Sequence, residues 1–172
     1  MKNVRKCYIV KINEKQFIGF IITYLTDNES RQDCKVYLNT SLKSLKDVKE
    51  KLTEFIHPLA VEKANPDFIV LWAEKIASNQ NGIDQDTSMI PIDYSDYTEK
   101  QVQVIKFCHE NIPVGEIYPY SKVAELAGLP KAQRFVGSTM RKSRVPFILP
   151  VQRVKSLKYL KKQHAVSRKM PL

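Results

Sequence analysis

Apolar residues recur in two different rhythms along this chain, and the change of rhythm divides it. Residues 6–12 (Lys-Cys-Tyr-Ile-Val-Lys-Ile) and 17–25 (Phe-Ile-Gly-Phe-Ile-Ile-Thr-Tyr-Leu) are rich in β-branched and aromatic side chains, which suits strands. Asn13-Glu14-Lys15 between them predicts a hairpin. A polar loop over 26–33 leads to a third short strand over 34–39. The spacing then turns helical. Leu42, Leu45, Val48, Leu52, Phe55 and Ile56 predict a helix that Thr40 or Ser41 caps and that His57-Pro58 ends. A second helix is predicted over 66–77, with Phe68, Ile69, Leu71, Trp72 and Ile76 on its apolar side. Residues 78–88 are polar, contain Gly82 and read as a linker, and 89–92 read as a short extended bridge.

Beyond the bridge every periodic stretch is helical. Thr98 is placed to cap a helix carrying Gln101, Val102, Val104, Ile105, Phe107 and Cys108, which stops at Ile112-Pro113. Residues 114–120 form a turn and an extended entry, and Ser121 opens a helix holding Val123, Ala124, Leu126 and Ala127. Gly128-Leu129-Pro130 is a tight turn before a further helix over 131–141. Two short helices around a Gly-containing turn predict a helix-turn-helix, with the second as the recognition helix.

Charge sharpens this division. The net charge is +10, yet the first 97 residues hold 13 basic against 14 acidic side chains. From Thr98 onward there are 15 Lys/Arg against 4 Glu, so the whole excess lies where the helix-turn-helix is predicted. That is the electrostatic footprint of a module for polyanions, and equally of a soluble basic surface. The expected fold is α+β. A small antiparallel-sheet domain with helices (1–88) precedes a helical, winged-helix-like DNA-binding domain (89–154) and a basic tail (155–172). No apolar run approaches the roughly 20 residues of a membrane span, and the N-terminus has no secretory pattern. Cys7, Cys34 and Cys108 have no paired spacing, so an intracellular protein without disulfides is expected.

The order of small motifs between Thr98 and Arg153 carries a resemblance over 56 residues without a gap. Thr98, Gln101 and Val104 fit T-x-F-Q-x-x-V, with Lys100 at the aromatic position; Ile112-Pro113-Val114-Gly115-Glu116 is followed by Tyr120. Leu126-Ala127-Gly128 and Pro130-Lys131-Ala132 form the turn, Arg134, Val136 and Gly137 follow, and Val145-Pro146, Pro150 and Arg153-Val154 complete the series. This stretch resembles the DNA-binding, alkyl-accepting domain of the alkylguanine-DNA alkyltransferases, the methylated-DNA–protein-cysteine methyltransferases. In that family the last motif reads Pro-Cys-His-Arg-Val, and the cysteine takes the alkyl group from guanine O6. Here it reads Pro150-Val151-Gln152-Arg153-Val154.

The resemblance implies a recognition helix in the minor groove and rotation of a damaged nucleotide out of the duplex. It makes Arg134 the side chain that fills the vacated stack and Tyr120 the one that presses on the neighbouring phosphate. The implied DNA contacts are Gln101, Tyr120, Ser121, Lys131, Ala132, Gln133, Arg134, Phe135, Gly137 and Arg141; the lesion pocket comprises Tyr120, Val145, Pro146 and Val151. The family keeps small residues beside its arginine, because the minor groove is only ~6 Å wide. Gln133 and Phe135 depart from that. Phe135 is open to three readings: a clash, an apolar wedge beside Arg134, or a core residue.

The chemistry itself is not expected. Alkyl transfer to protein needs a soft nucleophile, a base and a group that orients the base, which the family supplies as Cys, His and a Glu on a final helix. Val151 and Gln152 replace the first two, Ser143 replaces an asparagine hinge, and no Asp or Glu follows Glu125. No glycine follows Gly137, so the family's glycine-rich closing loop is missing; residues 152–172 instead hold 7 Lys/Arg and no acid, a basic arm for phosphate contact that is compatible with a frayed, solvated terminus. Cys108 and His109 are adjacent on a helix and point about 100° apart, so they make no nucleophile–base pair, and Cys108 belongs to the core. Cys7, Cys34 and His57 lack the tight spacing of a zinc site, and no metal or cofactor is expected.

The expected function is that of a non-catalytic, alkyltransferase-like DNA-repair protein that recognises O6-alkylguanine or otherwise damaged duplex. The alternative is a general DNA- or chromatin-binding protein without lesion specificity, and a still active methyltransferase stands third. Expected partners are double-stranded DNA and excision-repair proteins. The chain is expected to be a monomer, with no membrane association and a nuclear location in a eukaryote.

Overall fold

The computed structural model describes residues 3–26 and 31–167, with side chains as far as residue 163. Two compact units are present. The first comprises Met1–Ser95 with Arg144–Ile148, and the second Asp96–Ser143 with Leu149–Leu172. The division falls at Ser95/Asp96, and the described residues from Leu149 onward belong to the second unit.

The first unit is built on an antiparallel sheet of order β1-β2-β3: β1 (Val4–Asn13), β2 (Gln16–Tyr24) and β3 (Cys34–Leu42). The β1–β2 hairpin forms where expected, with Asn13 Oδ1 accepting from the Lys15 backbone at 2.9 Å. β2 is central and buried almost throughout, which explains its unbroken apolar run. A bulge between Ile21 and Ile22 skips Tyr37, so Tyr37 and Leu38 both join one core cluster with Cys7, Ile21, Val48 and Leu52. Helix α1 (Leu45–Thr53) lies on this side. Its approach requires Gly19, because a Cβ there would stand 2.5 Å from Val48 Cγ1.

Four local expectations are corrected here. Helix α1 is capped by Ser44, whose side chain accepts from the Asp47 backbone, while Thr40 and Ser41 remain in β3 paired with Gly19 and Ile18. A strand partner satisfies their backbone groups, so the cap moves downstream. The same helix ends at Thr53, before His57-Pro58. Helix α2 (Asp67–Gln80) runs three residues past Ala77 and packs on β1 and β2 through a face containing Ile69, Trp72 and Ile76, with Leu71 exposed. The supposed linker is part of the packed unit: Asn79 and Thr87 are buried, and Ile92 makes a parallel bridge to Val36.

The second unit is helical around a small core. Thr98 and Gln101 form a reciprocal capping box at the start of α3 (Glu99–Asn111), which ends at Ile112 as expected. A two-residue strand β4 (Tyr118–Pro119) leads into α4 (Tyr120–Leu126), followed by α5 (Gln133–Arg141). The chain returns through a 3-10 turn (Val151–Arg153) to β5 (Val154–Lys155), which pairs parallel with β4, and then enters α6 (Leu157–Ser167). Within the tail, Leu157–Ser167 is helical, and nearly all of its described side chains are exposed. Val104, Ile105, Cys108, Val123, Ala124, Val136 and Met140 supply the core of this unit.

Candidate nucleic-acid interface

The helix-turn-helix rests on a fully bonded turn. After α4, the Gly128 N–H donates to Glu125 O at 3.1 Å and the Leu129 N–H to Ala124 O at 2.8 Å, with Gly128 at φ +79°. This is the double closure that satisfies the last carbonyls of a helix. Lys131 also adopts a left-handed conformation, φ +66°. It lies in the turn, and α5 starts at Gln133 instead of at residue 131. A left-handed lysine is costly by roughly 1 kcal/mol, and it reverses the chain immediately before the recognition helix.

Recognition helix α5 has two distinct sides. Val136, Gly137 and Met140 are buried, whereas Gln133, Arg134 and Arg141 are exposed. Arg134, Ser138 and Arg141 stand at i, i+4 and i+7, which places them along one face. Ser138 was not among the expected contacts. Its spacing from Arg134 was the available signal. Phe135 is half-buried.

Gly137 has a specific task. A Cβ added there would stand 3.0 Å from Tyr120 Cε2 and 3.3 Å from Cδ2, so the absent side chain is what lets the Tyr120 ring lie against α5. Tyr120 is half-buried at the first position of α4, and Ser121 beside it is exposed. The structure thereby brings Tyr120, Gly137 and the exposed arginine face of α5 together. Gln101 accepts from the Thr98 backbone N–H at 2.9 Å through its side chain, as half of the α3 capping box.

The motif around Val151 is ordered but offers no nucleophile. Val151 and Gln152 are half-buried in the 3-10 turn, and buried Arg153 donates through Nη1 to Ile112 O at 2.8 Å. That arginine is a tie within the second unit. Ser143, half-buried, ends the preceding stretch of this unit. Of the expected pocket residues, Tyr120 and Val151 fall in the second unit, while buried Val145 and half-buried Pro146 fall in the first.

Residues 144–148 are held within the first unit by an unusual set of polar contacts. The Asn39 backbone N–H donates to Arg144 O at 3.0 Å, and its side-chain amide donates to Pro146 O at 2.8 Å. Asn79 Nδ2 donates to Phe147 O at 2.8 Å, and Thr87 Oγ1 to Ile148 O at 2.6 Å. The Arg144 guanidinium lies 4.4 Å from the Tyr37 ring centroid, with Arg5 also 3.7 Å from that centroid. Phe147 sits at φ +67°, a conformation that needs such surrounding restraint.

Cys7, Cys34 and Cys108 are all buried. Burial pushes the Cys108 thiol up to about 12. Burial, reinforced by the Glu62 charge, raises Cys7 to about 11, and burial outweighs the nearby Arg31 to raise Cys34 to about 11. Thiols so placed are protonated near neutrality and poor nucleophiles. Among the described residues no three His, Cys, Asp or Glu side chains cluster as metal ligands would, and no helix is long and apolar enough to cross a membrane.

Residues 99–169 match the family model described as 6-O-methylguanine DNA methyltransferase, DNA binding domain. Over 55 residues the chain is 44% identical to the human methylated-DNA–protein-cysteine methyltransferase and, to the same extent, to its Rattus norvegicus counterpart. These matches cover 32% of this chain and 23% of each relative, so less than a quarter of the curated relatives' length is represented. The likeness in fold extends further. The O6-methylguanine-DNA methyltransferase of Pyrococcus kodakaraensis superposes with a TM-score of 0.60 at 13% identity, over 88% of this chain and 86% of that one. Mycobacterium tuberculosis OGT in complex with DNA superposes with a TM-score of 0.58 at 15% identity, over 89% and 80% respectively. Residues 99–169 are therefore similar to the DNA binding domain of the 6-O-methylguanine DNA methyltransferases, and the chain as a whole shares the fold of the solved alkyltransferases.

Proposed function

We propose that this protein is a non-catalytic relative of the alkyltransferases that binds duplex DNA and recognises O6-alkylguanine without accepting the alkyl group. One observation carries the reading: a recognition hairpin with its arginine face exposed and Tyr120 seated on Gly137 accompanies a valine, Val151, at the acceptor position. In this mechanism α5 enters the minor groove, and Tyr120, Lys131 and Arg141 contact phosphates. Arg134 fills the stack vacated by an extruded nucleotide. The unstacking cost is a few kcal/mol, roughly, and is lowest for a damaged base, which supplies selectivity. An apolar Val151 shelters an alkyl group but has no lone pair to attack it. A lesion held in this way would be passed to excision-repair proteins, in the nucleus where the cell has one, with the chain acting as a monomer.

The test is a fluorescence-anisotropy titration with two matched duplexes, one bearing a single O6-methylguanine, at two salt concentrations. The expected preference for the lesion is about tenfold or more, near 1.4 kcal/mol, and Arg134→Ala should abolish it. A stable alkyl adduct found on the protein by mass spectrometry would overturn the non-catalytic reading.

A second reading is a general DNA-binding protein without lesion specificity. The feature that favours it is α6, which follows the motif where the family has a glycine-rich closing loop. Equal affinity for both duplexes, steeply dependent on salt, would select this reading.

A further inference from the structure

Helix α6 carries a row of charge that nothing within the helix balances. Lys158, Lys161 and Lys162 are exposed and stand at i, i+3 and i+4, so they share one face. No acidic residue follows Glu125 anywhere in the sequence. Like charges at this spacing repel, so the isolated helix is less stable for carrying them. A polyanion would remove that repulsion.

The base of the helix is linked to the α5 face through one strand pair. Strand β5 pairs Val154 with Tyr118 and Lys155 with Pro119, and the residue after Pro119 is Tyr120, which lies on α5 at Gly137. Two further lysines cluster at this edge. Lys122 Nζ sits 3.6 Å from the Tyr118 ring centroid, and Lys155 Nζ sits 5.3 Å from that of Tyr159. The Tyr159 hydroxyl accepts from Gln163 Nε2 at 2.9 Å, which steadies the ring one turn into the helix. Buried Val154 anchors the whole edge.

From this arrangement we infer that α6 is a second phosphate-contacting element for duplex DNA, acting through Lys158, Lys161 and Lys162 with Lys122 and Lys155 at its base. The inference rests on the DNA-binding reading given above and adds to it a contact that reads neither sequence nor lesion. Its signature is the salt dependence of binding, since each neutralised phosphate releases condensed counterions and steepens the log–log slope by about 0.9.

The experiment compares the full chain with a Lys158→Gln, Lys161→Gln, Lys162→Gln variant and with a triple arginine variant, on matched plain and O6-methylguanine duplexes from low to moderate salt. Thermal melts verify that the variants are folded. The glutamine variant should lose between two and three units of slope, close to the ~2.7 of three phosphate contacts. Its relative preference between the two duplexes should not change, and the arginine variant should restore the slope. An unchanged slope in a variant that still binds overturns the α6 inference alone. A slope that falls together with lesion preference overturns the claim that α6 contributes no readout. Tighter binding of the parent to structured RNA than to duplex DNA overturns the assignment to DNA. No binding by the parent overturns the underlying function as well.

Discussion

The two units use polar residues in opposite directions. In the first unit charge is nearly balanced, and its most informative polar side chains point inward. Asn39, Asn79 and Thr87 are buried and donate to carbonyls of residues 144–148. In the second unit the polar residues with functional promise, Arg134, Arg141, Lys158, Lys161 and Lys162, are exposed. The comparison teaches that one feature of a sequence, a polar residue in a non-repeating stretch, serves two ends. An inward amide replaces water for a backbone carbonyl and so governs stability. An outward cation has little to gain from the fold and governs what the surface attracts.

Breaking the inward contacts should have the largest effect. Asn39→Ala or Thr87→Ala leaves a buried carbonyl without its donor and should lower unfolding free energy by about 1–3 kcal/mol each. Urea denaturation reads this directly, and DNA affinity of the folded protein should stay within about twofold. If either substitution lowered affinity strongly without altering stability, the assignment of these residues to the fold would be wrong.

Asp93 offers a smaller and pH-dependent version of the same test. Burial raises its carboxyl pKa, but hydrogen bonds from Thr23 and Ser95, together with the Arg5 charge, more than offset this and leave it below its ordinary 3.8. A carboxylate with a depressed folded-state pKa contributes stability that is fully present above its unfolded pKa. That stability is lost as pH falls through the lower folded value. Asp93→Asn should therefore cost roughly 1 kcal/mol near neutrality, and melting curves of the two proteins should converge as the medium is acidified below about pH 4. Parallel curves at every pH would exclude Asp93 from the acid limb.

The smallest effect separates the two kinds of role at one position. Lys131 occupies a left-handed conformation in the turn before α5. Lys131→Gly should relieve that strain and raise stability by about 0.5–1 kcal/mol, while weakening DNA binding and reducing its salt slope by about 0.9. A melt and a salt titration on the same sample provide both readings. Loss of stability would mean that the lysine stem contributes packing that its exposure does not suggest.

The helix-turn-helix was legible in the sequence because its signals are local. Thr98 and Gln101 cap across three residues, and Gly128 supplies the one left-handed step that closes α4. The strands β1 and β2 were equally readable from composition. Failures came where a distant partner decided the outcome. Thr40 and Ser41 have the chemistry of helix caps, yet β2 recruits them into β3. Residues 78–88 have the composition of a linker, yet Asn79 and Thr87 bond carbonyls 68 and 61 positions away.

By itself, the sequence determined the positive charge of the second unit, the order of the recognition motifs and the chemical fact that Val151 is no nucleophile. Those properties belong to residue types and short spacings, which survive in any conformation. The tertiary structure alone decided that Gly137 makes room for Tyr120 and that Asn39, Asn79 and Thr87 face residues 144–148. It also decided that residues 157–167 of the basic tail form a helix that follows the β4–β5 pair. The physical reason is that burying a polar group is tolerable only against a particular partner, and that partner is chosen by how separate parts of the chain come together.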